Sequence, residues 1–218
     1  MTSPVQAGNV AGVVLAAGGS TRMPGPNKLL RPWGEGILVE GAISAAREAG
    51  LHPCVVVAGA SAGLLVPRLE RLELNTIEHA GWSRGRASSL VAGLEHLSGL
   101  DSVQAAVVLL GDEPGVSGEA IRAVIDEWRA GGADLVRVRY RDRPGHPVLL
   151  GPSARELALD LEGEESVWDR LIAAGLTGTE VPVDRPAPID VDIPAALNEA
   201  RSRQESESSH PADFGVAE

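Results

Sequence analysis

The chain alternates between short, almost continuous apolar runs and longer stretches in which apolar residues recur every three or four positions. The first kind occurs at Val10–Ala17, Pro53–Ala58, Leu74–Glu78 and Ala105–Leu110, the last being the most strongly apolar. The second occurs at Ile37–Ala49, with Ile37, Val39, Ile43 and Ala46 in register and a stop at Gly50, and at Ser88–Leu97, with Leu90, Leu94 and Leu97 on one stripe. Short unbroken runs predict buried strands and the 3.6-residue period predicts amphipathic helices. Leu64–Leu72 also reads as helix, with Pro67 either in its first turn or kinking it. Ser117 is placed to cap a helix through Trp128 that turns Ile121, Val124, Ile125 and Trp128 inward and stops at Gly131-Gly132.

Strands that lack polar alternation are buried on both faces. They therefore predict an α/β fold with a mostly parallel central sheet, helices on both faces, and ligands gathered beyond the carboxyl ends of the strands. After Tyr140 the pattern changes. Arg141-Asp142-Arg143-Pro144-Gly145 is rich in turn formers between Leu135–Tyr140 and Pro147–Leu150, which predicts a β-hairpin excursion on the substrate side. Short helices at Ala154–Leu159 and Ser166–Ala174, a strand at Glu180–Val183 and a last helix from Pro194 to about Arg201 complete the pattern. Residues 10–201 read as a single domain. Residues 1–9 and the Ser- and Glu-rich 202–218 lack periodicity and are expected to be disordered.

A length of 218 residues suits one domain with a substantial core, and no apolar run is long enough for a membrane span. The N-terminus lacks the charged and apolar regions of a secretory signal, so a cytoplasmic location is expected. The one cysteine, Cys54, lies in an apolar strand and reads as a small buried hydrophobe. A formal charge of −11 disfavours nucleic acid and anionic membranes as partners. Any phosphate must therefore be held by a local cluster of cations, helped by a divalent metal.

Such a cluster follows the first strand. Gly18 and Gly19 can take positive φ and leave peptide N–H groups open to an anion. Arg22 adds a bidentate fork and Lys28, the only lysine in the chain, a compact charge; Arg84 and Arg86 are possible helpers. The run is neither a Walker A loop nor a dinucleotide fingerprint. Across the sheet, Asp112 stands just past the most apolar strand and is aimed at the ligand crevice. With Asp192 or Asp190 it makes a hard-oxygen pair suited to Mg²⁺. The bland alternatives are a turn cap for Asp112 and helix-dipole partners for Asp190 and Asp192.

These blocks resemble the molybdopterin nucleotidyltransferases (MobA-like NTP transferases), especially the molybdenum-cofactor cytidylyltransferases. The resemblance is carried in order by Leu15-Ala16-Ala17-Gly18 with Ser20, Arg22-Met23 and Lys28-Leu29-Leu30; Trp82 with Gly85; Ser88-Ser89-Leu90; Gly111-Asp112-Glu113-Pro114; Gly145-His146-Pro147-Val148; and Asp190-Val191-Asp192 with Pro194. It spans residues 10–200. It implies a Rossmann-like, GT-A-like fold and Mg²⁺-dependent transfer of a nucleoside monophosphate from an NTP to the phosphate monoester of molybdopterin, with pyrophosphate leaving. A molybdoenzyme or its chaperone is an implied partner. Leu15, Ala16, Ala17, Gly18, Gly19, Arg22 and Lys28 would hold the nucleotide, Asp112 and Asp192 the metal, and Gly85, Ser88 and Ser89 would lie near base or ribose. Ala16-Ala17 resembles the cytidylyl branch and points to CTP. His146 would touch the acceptor or be a structural hairpin residue; Trp82 would stack on a substrate ring or belong to the core. Two departures stand out: Pro24 where the family has glycine, and Ile193-Pro194-Ala195-Ala196 in the terminal block. A sugar-phosphate nucleotidyltransferase and a non-catalytic nucleotide-binding accessory protein are the alternatives.

Overall fold

The computed structural model describes residues 9–209 apart from 24, 26 and 101. Seven strands form one sheet in the order β5-β4-β1-β6-β8-β7-β9. They are β1 (Asn9–Ala16), β4 (Cys54–Ala58), β5 (Asn75–Glu78), β6 (Val103–Leu110), β7 (Leu135–Arg139), β8 (Pro144–Leu150) and β9 (Gly178–Pro182). A separate two-stranded ribbon pairs β2 (Pro32–Trp33) with β3 (Gly36–Ile37). All neighbours in the main sheet are parallel except β8, which runs antiparallel to both β6 and β7.

The central strands carry two cores because alternate side chains face opposite ways. On β1, Val10, Val14 and Ala16 join one cluster with α1 (Leu38–Glu48), α2 (Ala62–Glu70), α4 (Gly118–Arg129) and α7 (Pro194–Ser209). Ala11 and Val13 join the other with α3 (Arg86–Ser98), α5 (Pro152–Ala158) and α6 (Val167–Ala173). Helices on both faces are as the apolar pattern predicts. The Ser117 hydroxyl accepts from the Ala120 N–H at 3.2 Å, a cap of the kind worth about 1 kcal/mol.

Of the two places left open for Pro67, the structure has it inside α2, as the sixth residue, where it forgoes a helical hydrogen bond. Two local expectations need correction. The hairpin expected after Tyr140 forms, with Leu135 of β7 opposite Leu150 of β8, but β8 inserts between β6 and β7 as a full member of the sheet instead of standing out from it. The last helix continues past Arg201 to Ser209, so the helix takes in the start of the stretch expected to be disordered; residues 1–8 and 210–218 lie outside the described residues. No helix among the described residues is long and apolar enough to cross a membrane.

Candidate active site

In the parallel pairing of β1 with β6, Leu15 lies opposite Leu110, so the chain leaves both strands at the same edge of the sheet. The loop beginning at Ala17 therefore faces Asp112. A third segment reaches this edge through the turn between β7 and β8: Arg141 N–H donates to the Arg185 carbonyl, the Asp142 carboxylate accepts from Ala187 N–H at 2.8 Å, and Arg143 donates to the Pro188 carbonyl at 2.9 Å. Val191 is then fully buried and donates its N–H to the Asp112 carbonyl at 3.0 Å. That anchor brings Asp190 and Asp192, which flank it, up against Asp112.

Lys28 sits between these carboxylates. Its ammonium donates at 2.6 Å to Asp112 Oδ2 and at 2.6 Å to Asp192 Oδ1, and lies 3.8 Å from Asp190 Oδ1. Arg22, with its side chain 70% exposed, pairs with the other Asp192 oxygen. The Lys28 side chain is only 8% exposed. Burial alone would lower its pKa, but Asp112 and Asp192 outweigh that and hold it above its ordinary value. Asp190 moves the other way from most ion-paired acids: burial and the negative charge of Asp112 raise it, against the pull of Lys28. The Asp112 carboxylate meets Lys28 instead of capping the turn that follows it, and Asp192 is shared between Lys28 and Arg22.

The loop itself is held by two residues whose structural role the motif reading did not assign. The Asn27 amide donates to the Gly18 carbonyl at 3.0 Å, and its side-chain oxygen accepts from Ser20 Oγ at 3.0 Å and from Leu29 N–H at 2.9 Å. Ser20 Oγ in turn accepts from Lys28 N–H at 3.0 Å. The positive φ expected of Gly18 or Gly19 falls instead on Ser20, at 51°. Among non-glycine residues, those with a short polar side chain that can bond the local backbone enter this region most readily. Gly18 has open space where a side chain would stand, and a side chain at Gly19 would meet the Trp82 ring. The glycines thus keep the loop bare.

Two adjoining cavities open on this edge. One, of about 390 Å³, is lined by Leu15, Ala16, Gly18, Gly19, Arg22 and Lys28 together with the acids. The other, of about 340 Å³, holds Arg137, Arg143, His146, Trp168 and Glu113 over an apolar floor that includes Val108 and Val148. Leu15, Arg86 and Asp190 line both. The pair of cavities therefore forms one crevice.

The remaining expected site residues divide. His146 faces the second cavity. Its enclosure, opposed by Asp112 and aided by the positive charge of Arg86, Arg143 and Arg137, takes the imidazole down to about 4. Its carbonyl accepts from the Tyr140 hydroxyl at 2.6 Å. Trp82 is part-exposed and packs against the Gly19 loop and Gly59, outside both cavities. Gly85 has φ of 107° and meets the backbone of Gly163 too closely for any side chain. Ser88 Oγ donates to the Gly85 carbonyl at 2.8 Å and lines a third cavity with His79 and Arg84, while Ser89 is buried. Of the two possible helper arginines, Arg86 enters the crevice and Arg84 does not. Sequence reading missed Arg137, Arg143 and Trp168, which no local motif marks. Arg137 stacks over the Trp168 ring at 4.0 Å and also pairs with Glu180.

Asp112, Asp190 and Asp192 each present an oxygen within 4.8 Å of the others. Hard carboxylate oxygens at this spacing fit a divalent cation, and the Lys28 ammonium bridging two of them shows that the group attracts positive charge.

Residues 12–178, more than half the chain, match the MobA-like NTP transferase domain; Asp190 and Asp192 lie beyond the matched part. The nicotine blue oxidoreductase of Paenarthrobacter nicotinovorans is 29% identical over 151 residues, covering 67% of this chain and 72% of that protein. Rv0371c from Mycobacterium tuberculosis H37Rv superposes with a TM-score of 0.80 at 27% identity over 91% of this chain and 100% of that one. Its complex with manganese gives 0.75 at 26% identity over 89% and 98%. Molybdopterin-guanine dinucleotide biosynthesis protein A from Archaeoglobus fulgidus shares the fold, with a TM-score of 0.67 at 18% identity over 90% and 99%. The crevice, the sheet and the domain match agree: the chain belongs to the MobA-like NTP transferase family and is a nucleotidyltransferase.

Proposed function

We propose that the protein transfers CMP from CTP to the phosphate monoester of molybdopterin, as the molybdenum cofactor or its precursor, with release of pyrophosphate. The observation that carries this reading is the Lys28 ammonium held at 2.6 Å from both Asp112 and Asp192 at the foot of a glycine-bare loop. A triphosphate entering over Gly18 and Gly19 would meet this cation and carboxylate pair. A relative solved in complex with manganese supports a divalent cofactor, and we assign Mg²⁺ to Asp112 and Asp192, with Asp190 beside them. Bound there, the ion would neutralise charge on the phosphates and orient them.

The chain's residues supply the rest. The loop backbone and Arg22 receive phosphate oxygens, and Lys28 leaves the carboxylates to stabilise the charge that grows on the departing pyrophosphate. The acceptor phosphate oxygen attacks the α-phosphorus in line, forming one P–O bond as the α–β bridging bond breaks. No strong base is required, because the attacking phosphate is already anionic; an uncharged His146 accords with that. Arg137, Arg143 and Arg86 surround the adjoining cavity and suit an anionic acceptor. Ala16-Ala17 at the strand exit favours CTP, and the cytoplasm supplies it. The carboxylate pair favours phosphoryl chemistry over the redox activity that the name of the P. nicotinovorans relative denotes.

The test offers CTP, GTP, ATP and UTP with molybdopterin and Mg²⁺ and measures pyrophosphate. Release with CTP above the other three supports the reading. Release only with a sugar phosphate as acceptor replaces it with the second enzymatic reading, and no release with any acceptor removes it.

A further inference from the structure

A loop kept bare for an anion is also free to turn the wrong way. The peptide unit joining Gly18 to Gly19 is planar and trans, so the Gly18 carbonyl and the Gly19 N–H stand on opposite edges of one plate. Half a turn of that plate would exchange them and offer a carbonyl oxygen to the cavity in place of a donor. Two glycines make the turn easy, because neither has a Cβ to confine its φ and ψ. Packing does not hold Gly18, which has nothing within 4 Å of where a side chain would stand. A single side chain does: Asn27 Nδ2 donates to the Gly18 carbonyl at 3.0 Å.

Asn27 is itself fixed. It is 7% exposed, and its Oδ1 accepts from Ser20 Oγ at 3.0 Å and from the Leu29 N–H at 2.9 Å. The Leu29 N–H can only donate and the Gly18 carbonyl can only accept, so these two partners settle which way round the amide lies. The Lys28 N–H donates to Ser20 Oγ at 3.0 Å, which ties the same network to the residue whose ammonium meets Asp112 and Asp192. Gly18 and Gly19 line the 390 Å³ cavity and Asn27 does not. We infer that Asn27 is a positioning residue for the nucleotide: by drawing the Gly18 carbonyl toward itself it keeps the Gly19 N–H turned to the cavity as a donor for a phosphate oxygen. This rests on the reading of the loop as the triphosphate site and adds to it the residue that sets the loop's polarity.

Asn27→Ala removes all three bonds, and Asn27→Ser keeps an acceptor able to cap the turn at the Leu29 N–H while losing the reach to Gly18. The probe is inorganic triphosphate with Mg²⁺, titrated by isothermal calorimetry, with the Gly19 amide followed by NMR. Both variants are expected to bind it about tenfold or more weakly than the wild type. The Gly19 amide resonance should move when triphosphate is added to the wild type and should no longer move in the variants. A Gly19→Ala background supplies a rescue. Residue 19 is outside the left-handed region, half a turn of the peptide would carry it toward positive φ, and alanine resists that; its Cβ would stand in ordinary contact with the Trp82 ring at 3.5 Å. In that background Asn27→Ala should weaken binding by less than about threefold. Unchanged triphosphate affinity in both variants, with only the melting temperature lowered, would make Asn27 structural and overturn the inference. An equal loss in the two backgrounds would overturn it too, and the amide resonance decides if Gly19→Ala alone binds too weakly to compare. Should Asn27→Ala fail to fold, Asn27→Ser carries the same comparisons. Absence of triphosphate binding by the wild type would remove the loop reading and the inference together. Binding that depends on Asn27 without pyrophosphate release from CTP would leave Asn27 in place and remove the transfer reading instead.

Discussion

The two halves of the crevice are built from the same sheet edge but balance their charges differently. In the half under the glycine loop, Lys28 and Arg22 meet Asp112 and Asp192 in direct contact, so the cations and anions are matched before any ligand arrives. In the half beside β8, Arg86, Arg137 and Arg143 share the cavity lining with Glu113, Glu165 and Asp190 but bond Glu164, Glu180 and the Pro188 carbonyl instead, and one buried oxygen of Glu113 has no hydrogen-bond partner. A matched cluster can exchange partners: a divalent ion and a triphosphate together replace each lost contact. A lining whose arginines are held from outside the cavity keeps its shape when a ligand enters. The first half therefore suits a general reagent delivered with its metal, and the second suits selection among acceptors.

The largest effect should come from the acid that the sheet aims at the nucleotide half. Asp112→Asn should reduce turnover by about a thousandfold, several kcal/mol of transition-state stabilisation, and weaken metal binding with it. Pyrophosphate release against metal concentration checks this, and metal-dependent turnover near the wild-type rate would break the comparison.

Lys28→Met should cost about a hundredfold in turnover, the range for losing one preorganised charge donor. In the absence of nucleotide it should at the same time bind metal more tightly, since the ammonium no longer competes for Asp112 and Asp192. A fall in both would mean that Lys28 organises the acids instead of holding their place.

Arg86, which lines both halves but is largely exposed and paired with Glu164 at 3.1 Å, should matter less. Arg86→Ala is expected to raise the KM of both substrates by about three- to tenfold, as the loss of a solvent-screened charge does. An effect on one substrate alone would assign it to that half.

The smallest expected effect is on stability. His146 is held neutral down to about 4, below the ordinary 6.5, so between those values the unfolded chain takes up a proton that the folded chain refuses. Stability should fall as pH drops through this window. In His146→Gln that component of the slope should disappear, as thermal melts from pH 4 to 6.5 would show.

The nucleotide half was largely legible in the sequence because its parts are local. A strand, its glycine exit and a lysine lie within one short run, and Asp112 ends the most apolar strand. What was not legible there was how the loop is closed. Asn27 and Ser20 bond one another across the loop, and the left-handed residue is Ser20 where the glycines were expected to supply it. The acceptor half was read only in part. His146 stood out by its motif, but Arg137, Arg143 and Trp168 come together because β8 enters the sheet antiparallel between β6 and β7. Turn formers announce a hairpin without saying whether its second strand stays outside the sheet or joins it. Glu113 was visible next to Asp112, yet its isolation is a property of packing, not of spacing.

The central claim is that Lys28 keeps the metal carboxylates occupied until nucleotide arrives. Mn²⁺ titrations followed by electron paramagnetic resonance, with and without CTP, test it directly on the wild type and Lys28→Met. Weak binding by the wild type that CTP strengthens by about tenfold or more, and binding by Lys28→Met that is already tight without CTP, is the predicted result. Equally tight binding by both proteins in the absence of nucleotide would contradict it.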